Sequence, residues 1–415
     1  MKKIVILKRV KEGYQIKKEF FMKTRLVFCV FLSCMLFVIH ISAITIKEYV
    51  GNPIYQPSTD AAYPCVIYDA NEFDGNGAAF FYKMWCEGPG NTVALSYSND
   101  GISWHMTGET NLSNAHHPFV VYDENNFGGG AFPYKMWYWT GTNLTLIDAM
   151  QYAESADGLT WTAPIPLTQD PVFQLVDGVA GSYFFHIYGP GFVIYNSLAV
   201  PIPGDPYSYP YVMLYDTSSE GQPPTSSNQQ TALAYSMDGV HWTRYGTVPI
   251  MIPSGGKEWD GKYIYRPSVI QLNGVYHMFY SGSDYSPAIT TAAYYAHGIG
   301  YATSADGITW TKDPSPVFIY SDGVAWRSSR TYNPFALIAP VTGCTGSPVD
   351  ILQMWFTGST GRPTDERKAI GYAYSVEDFC CSSRCQGIKQ LIMNNVLPKL
   401  CELDGSRSRD ILQIP

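Results

Sequence analysis

Residues 301–310 read Tyr-Ala-Thr-Ser-Ala-Asp-Gly-Ile-Thr-Trp, the end of one strand, a tight turn and the start of the next. Asp-Gly between two strands is a strong hairpin signal, because Gly accepts positive φ and Asp bonds its own backbone. The Trp three residues after Gly is a large apolar plate that has to be buried against a neighbouring sheet. The same text recurs around Ser98-Asn99-Asp100-Gly101 with Trp104, Ser155-Ala156-Asp157-Gly158 with Trp161, and Ser236-Met237-Asp238-Gly239 with Trp242. A fifth copy reaches Tyr374-Ser375 and then departs into Val376-Glu377-Asp378-Phe379.

Upstream of each copy stand two more strands. The nearer is of the type Tyr82-Lys83-Met84-Trp85, repeated at Tyr134–Trp137, Tyr211–Leu214, Tyr276–Phe279 and Leu352–Trp355. The farther opens on X-Pro, at Tyr63-Pro64, His117-Pro118, Gly189-Pro190, Arg266-Pro267 and Asn333-Pro334. Proline is tolerated where a strand begins. Four strands per unit, none able to bury both faces alone, predict an all-β five-bladed β-propeller of four-stranded antiparallel blades. The fifth unit lacks its last strand, and an open edge there is an aggregation liability. Ile44–Val50 alternates as a strand should, and is expected to fill that place and close the ring.

Composition agrees. The chain of 415 residues is 46% hydrophobic and 15% aromatic, with 10 Trp, 32 Tyr and 20 Phe, which excludes a disordered or collagen-like polymer. Residues 1–43 differ from the rest: a basic start after Met22, an apolar run from Leu26 to Ile39 and a small-residue site at Ile41-Ser42-Ala43 read as a secretory leader. Residues 44–378 are expected to be the propeller and 379–415 a divergent Cys-containing tail. The leader is net +7 within a whole chain of −8, leaving residues 44–415 at −15, and the tail is +2, leaving the propeller at −17. So acidic a body repels phosphate backbones, which argues against nucleic acid. Cys65 and Cys86 stand on adjacent expected strands, as a disulfide or as two buried thiols.

The motifs Tyr-Lys-Met-Trp, Gly300-Tyr301-Ala302-Thr303-Ser304 and Ser-x-Asp-Gly-x-x-Trp resemble the five-bladed glycosidase superfamily over residues 55–378. That group comprises glycoside hydrolase family 43, the invertases and levansucrases of families 32 and 68, and the mannoside phosphorylases of family 130. The hairpin element also resembles the Asp box of sialidases. The resemblance implies an active site at the axial mouth, built from the starts of first strands and the loops after second strands, with three carboxylates. In register, however, the family-43 positions read Tyr63, Gly189 and Tyr265.

The carboxylates left near the expected mouth are Asp60, Glu87, Asp260 and Asp284, the candidates for acid and base, with Asp216, Glu220, Asp365 and Glu366 on the same loops. A glycosidase needs two such groups flanking the scissile bond. His116, His117, Trp139, His186, Arg266, Arg330 and Asn333 are the candidates for substrate binding. Some members of the superfamily hold a calcium or a water on the axis near a His. Adjacent His116 and His117 point to opposite faces of a regular strand, so no metal or other cofactor is expected. Asn111-Leu112-Ser113 and Asn143-Leu144-Thr145 match the N-glycosylation sequon. The expected function is a secreted, glycoside hydrolase-like protein acting on an oligo- or polysaccharide, free of the membrane once the leader is cleaved. The alternatives are a catalytically inactive carbohydrate-binding propeller and an extracellular interaction scaffold.

Overall fold

The hairpin grammar produces antiparallel sheets throughout. A computed structural model describes residues 44–57, 60–75, 80–88, 90–140, 150–167, 186–201, 207–218, 228–284, 298–342, 348–361 and 366–375. The leader 1–43, the tail 379–415, Glu220, Asp365 and the Asn143 sequon lie outside these residues. Among those described, no helix is long and apolar enough to cross a membrane.

Ile46–Glu48 (β1) opens the described chain. One sheet follows from Ala62–Tyr68 (β2), Tyr82–Glu87 (β3), Val93–Ser98 (β4) and His105–Glu109 (β5). The next holds His116–Tyr122 (β6), Tyr134–Trp139 (β7), Met150–Ser155 (β8) and Ile165–Pro166 (β9). A nine-stranded sheet contains two antiparallel groups. The first is His186–Pro201 (β10), Ser208–Ser218 (β11), Gln229–Ser236 (β12) and Trp242–Arg244 (β13). The second is Tyr263–Leu272 (β14), Val275–Ser283 (β15), Gly298–Ser304 (β16), Thr311–Lys312 (β17) and Phe318–Ile319 (β18). A single parallel bridge, Gln229 to Tyr263, joins the two groups. The last sheet has Arg330–Thr342 (β19), Pro348–Thr360 (β20) and Arg367–Ser375 (β21), with β1 as its outer strand: Ile46 lies opposite Ser375.

The four hairpins share one bonding scheme. Each turn Ser accepts the Gly N–H at 2.8–2.9 Å. Each Asp carboxylate accepts the N–H groups of the residues two and three positions on, at 2.7–2.9 Å. Each Trp Nε1 donates back to its own Gly carbonyl. Three of those carbonyls accept a second indole from another sheet: Trp85 on Gly158 at 2.7 Å, Trp137 on Gly239 at 2.8 Å and Trp355 on Gly101 at 2.7 Å. The turn Gly is therefore required twice, for φ near +80° and because a Cβ at Gly158 would stand 2.7 Å from the Trp85 ring.

The five first strands are mutual neighbours in succession: β2 packs on β6, β6 on β10, β10 on β14, β14 on β19, and β19 on β2. Phe119, Phe192 and Phe335 meet among them with ring centroids 4.9–6.0 Å apart. Beyond these rings residues of the same five strands line an apolar cavity of about 420 Å³. Cys65 and Cys86 are free, buried thiols, both pushed up to about 12 by burial. Cys65 faces Trp85 across the ladder, which turns Cys86 to the opposite face of β3 and forbids a bridge.

Candidate functional site

The residue before each repeat proline has left-handed backbone: Tyr63 at φ 58°, His117 at 52°, Gly189 at 108°, Arg266 at 51° and Asn333 at 52°. At each the ladder with the second strand slips. A bulge of this kind re-aims a side chain. For a non-Gly residue it costs on the order of 1–3 kcal/mol, a cost that clusters at functional sites. Four such residues and one Gly lie at the starts of five adjoining strands, which makes this end of the sheets the candidate site.

His117, Trp139 and Tyr63 form a row of rings. His117 lies 5.5 Å from Trp139 at 13° between planes, and 3.9 Å from Tyr63. His116 also rests on Trp139, at 5.4 Å. The alternation expected of adjacent strand residues fails here, because the bulge at His117 breaks it. Among the described residues no three His, Cys, Asp or Glu side chains gather as a metal cage.

The two imidazoles have opposite hydrogen-bonding sense. Arg266 Nη2 donates to His117 Nδ1, and a guanidinium can only donate, so the His117 proton resides on Nε2. Burial and the Arg266 charge hold His117 well below its ordinary pKa, hence neutral. His116 Nδ1 lies 2.9 Å from Glu87 Oε1, which leaves its buried Nε2 without a partner among the described residues. An ionised carboxylate only accepts, so Nδ1–H donates, and in a neutral imidazole with that tautomer Nε2 is an acceptor. Both terminal nitrogens of Arg266 are engaged. They donate to the carbonyls of Pro190 at 2.6 Å and Tyr188 at 2.8 Å, and pair with Asp216 at 3.3 Å. Asp216 has no exposed surface, and burial pushes its carboxyl up to about 6 against the opposing pull of the Arg266 charge and N–H.

Around the row, several buried polar atoms have no protein partner among the described residues: both amide atoms of Asn333, Glu87 Oε2, Tyr332 Oη and Arg330 Nε. Arg330 otherwise grips Glu366 at 3.1 Å and covers the Tyr332 ring at 4.3 Å. A buried polar atom left unpaired costs about 1–3 kcal/mol, so a cluster of them fits a ligand's hydrogen bonds.

The sequence candidates divide. Glu87, His116, His117, Trp139 and Arg266 come together, and Asn333 follows Tyr332, whose ring meets Tyr63 at 5.9 Å. Asp60 is held by the Lys368 N–H at 3.0 Å. Arg330 opens β19 and His186 opens β10 opposite Ser218. Asp284 follows directly on β15. Asp260 is buried elsewhere, 2.8 Å from Lys312 on the outer strand β17 and 3.1 Å from Tyr280. Tyr63 and Tyr332 were not among the candidates, although the X-Pro repeat singles out the Tyr63 position as surely as that of His117.

No family model matches the chain. A 1,2-beta-oligomannan phosphorylase from Thermoanaerobacter sp. (strain X514) is 30% identical over 74 residues, 18% of this chain and 25% of that protein. The match thus spans a quarter of that relative's length. Among solved structures, one named glycoside hydrolase superposes with a TM-score of 0.53 at 16% identity, covering 80% of this chain and 92% of its own. Another, solved as an RGII complex, gives a TM-score of 0.53 at 16% identity, over 82% of this chain and 94% of its own. At such identities the likeness is one of fold: the chain has the propeller-like architecture of the glycosidase superfamily that its repeats resemble.

Proposed function

We propose that the chain is an exported, carbohydrate-active five-bladed propeller, closed by β1 against β21, that binds a glycan at the mouth where the five first strands begin. The cyclic succession of first strands and the outer position of β1 support the closed ring. The leader-like order of residues 22–43 supports export. The observation that carries the ligand class is the pair of buried, unpartnered atoms beside the ring row, His116 Nε2 and Glu87 Oε2. A sugar hydroxyl donates to such acceptors, and the C–H face of a sugar ring suits the neighbouring aromatic rings. The unpartnered amide of Asn333 adds a further donor and acceptor.

Glu87 favours a second reading, bond cleavage. Asp216 and Glu366 are engaged by Arg266 and Arg330, whereas Glu87 keeps one buried oxygen unengaged. Hydrolysis with two carboxylates is then short of one partner. Phosphorolysis needs a single acid: in its protonated form Glu87 would give its proton to the leaving glycosidic oxygen while a phosphate oxygen bonds the anomeric carbon and the phosphate's proton returns to Glu87, yielding a sugar phosphate and a shortened glycan. The short likeness to an oligomannan phosphorylase points the same way.

The test is a panel of aryl glycosides, oligosaccharides and polysaccharides, scored for binding and for turnover with and without phosphate. Binding that Asn333→Ala weakens supports the mouth. Turnover abolished by Glu87→Gln supports cleavage, and binding without turnover leaves only the first reading. If no sugar on the panel binds, both readings fall.

A further inference from the structure

The hairpin of the first sheet departs from its siblings. The residue after the hairpin Trp is Thr162, Thr243 and Thr311 in the later units but His105 in the first. Before the turn Ser, β4 carries Tyr97, as β12 carries Tyr235 and β21 Tyr374, while β8 and β16 carry Glu154 and Thr303, so it is His105 beside that Tyr that sets this hairpin apart. Tyr97 and His105 face each other across β4 and β5, with rings 5.5 Å apart at 29°. Phe80 lies on Tyr97 at 3.6 Å and 28°. These rings, with Asn99, Asp100 and Ser103 of the turn, line a pocket of about 320 Å³. That is the lower end of small-ligand sites, roughly 300–1,000 Å³.

The pocket is separate from the mouth. Val93 lies opposite Glu87 at the mouth end of β4, and Tyr97 is four residues farther along, about 13 Å at the rise of a strand. Its chemistry is that of a sugar seat, with ring faces edged by an amide, a hydroxyl and a carboxylate. Asp100 stays below the ordinary carboxylate range: burial opposes this, but hydrogen bonds from Ser103, Ile102 and Ser98 outweigh it. A carboxylate held charged at the rim repels an anionic ligand and accepts from a neutral hydroxyl. We infer that the Phe80–Tyr97–His105 pocket is a second glycan-binding site, taking one neutral sugar unit of a polymer whose other part reaches the mouth. This rests on the reading that the protein handles glycans.

The variant Tyr97→Thr/His105→Thr gives this hairpin the residues that β16 and β17 carry at the same places, so folding is retained. Affinity electrophoresis through gels containing mannan, arabinan or xylan compares the unaltered protein, this double variant and Asn333→Ala. Retardation of the double variant is expected to weaken by about three- to tenfold, the scale of one or two lost aromatic contacts, with binding of short oligosaccharides unchanged. Equal retardation of the double variant and the unaltered protein overturns the inference, as does absence of retardation in all three gels. If Asn333→Ala changes nothing while the double variant still loses retardation, the mouth reading and the shared polymer fall, and sugar binding by the pocket itself stands.

Discussion

The sheets built on β14 and β19 contain the same device with opposite polarity. In each, a Trp eight residues before the repeat proline lies over two glycines: Trp259 over Gly282 and Gly300, Trp326 over Gly358 and Gly371. In each, the residue after that Trp is buried and ion-paired to the outer strand. In the β14 sheet the inner partner is Asp260 and the outer Lys312, at 2.8 Å and 52 residues apart. In the β19 sheet the inner partner is Arg327 and the outer Glu48, at 2.8 Å and 279 residues apart. Trp326 Nε1 also donates to Glu48, at 3.0 Å. The difference teaches how a remote strand finds its place. Were β1 to pair with β16 instead, Glu48 would face Asp260, a like-charge contact that disfavours the wrong partner.

The largest effect is expected from Arg327→Met, which strands Glu48 and Asp322 around a site where Arg327 is 1% exposed. Breaking a buried pair costs about 3–5 kcal/mol, to be read by urea unfolding. A loss below about 1 kcal/mol, the worth of an exposed pair, would show that the bridge is incidental. A reversal sharpens the comparison: Asp260→Lys with Lys312→Glu copies the β19 polarity. The double variant is expected to recover part of the stability lost by Asp260→Lys alone, the coupling being measured by a double-mutant cycle. Zero coupling would break the equivalence of the two bridges.

Smaller effects test the indole staples, which join one sheet to the next. Gly158→Ala meets both the positive φ and the Trp85 ring, and is expected to cost more than about 1 kcal/mol. Gly307→Ala, with no atom nearer than 3.7 Å, is expected to cost less. Equal losses would mean that φ alone matters. The smallest effect is a pH slope. Burial opposes ionisation of Asp238, but hydrogen bonds from His241, Val240 and Ser236 hold it at about 2. An unfolded Asp titrates near about 3.9, so this stability is present above that pH and is lost as pH falls towards 2. Asp238→Asn is expected to flatten thermal stability over that window.

What could be read without coordinates was local. Ser98, Asp100, Gly101 and Trp104 satisfy one another within six residues, so composition and order suffice to reveal the hairpin. The strand at 46–48 was legible from alternation and from the missing last strand of the fifth unit. Asp260 was not: its place in the text resembles a mouth carboxylate, and only the fold of Trp259 over Gly282 turns it to Lys312. The site was half legible. X-Pro marked the right positions, but strand alternation set His116 and His117 apart, and the bulge that puts both on Trp139 has no signature in residue types.

The order of residues by itself determined four copies of the strand-and-turn hairpin, since those bonds close between near neighbours along the polymer. Tertiary structure decided which indole meets which glycine, that Arg266 sets the His117 proton on Nε2, and that charge is inverted between two otherwise matching sheets. Those partners lie 50 to 280 residues apart, and no local preference chooses among so many groups of the same kind. Only the packing of one sheet on the next brings a particular pair within a few ångströms.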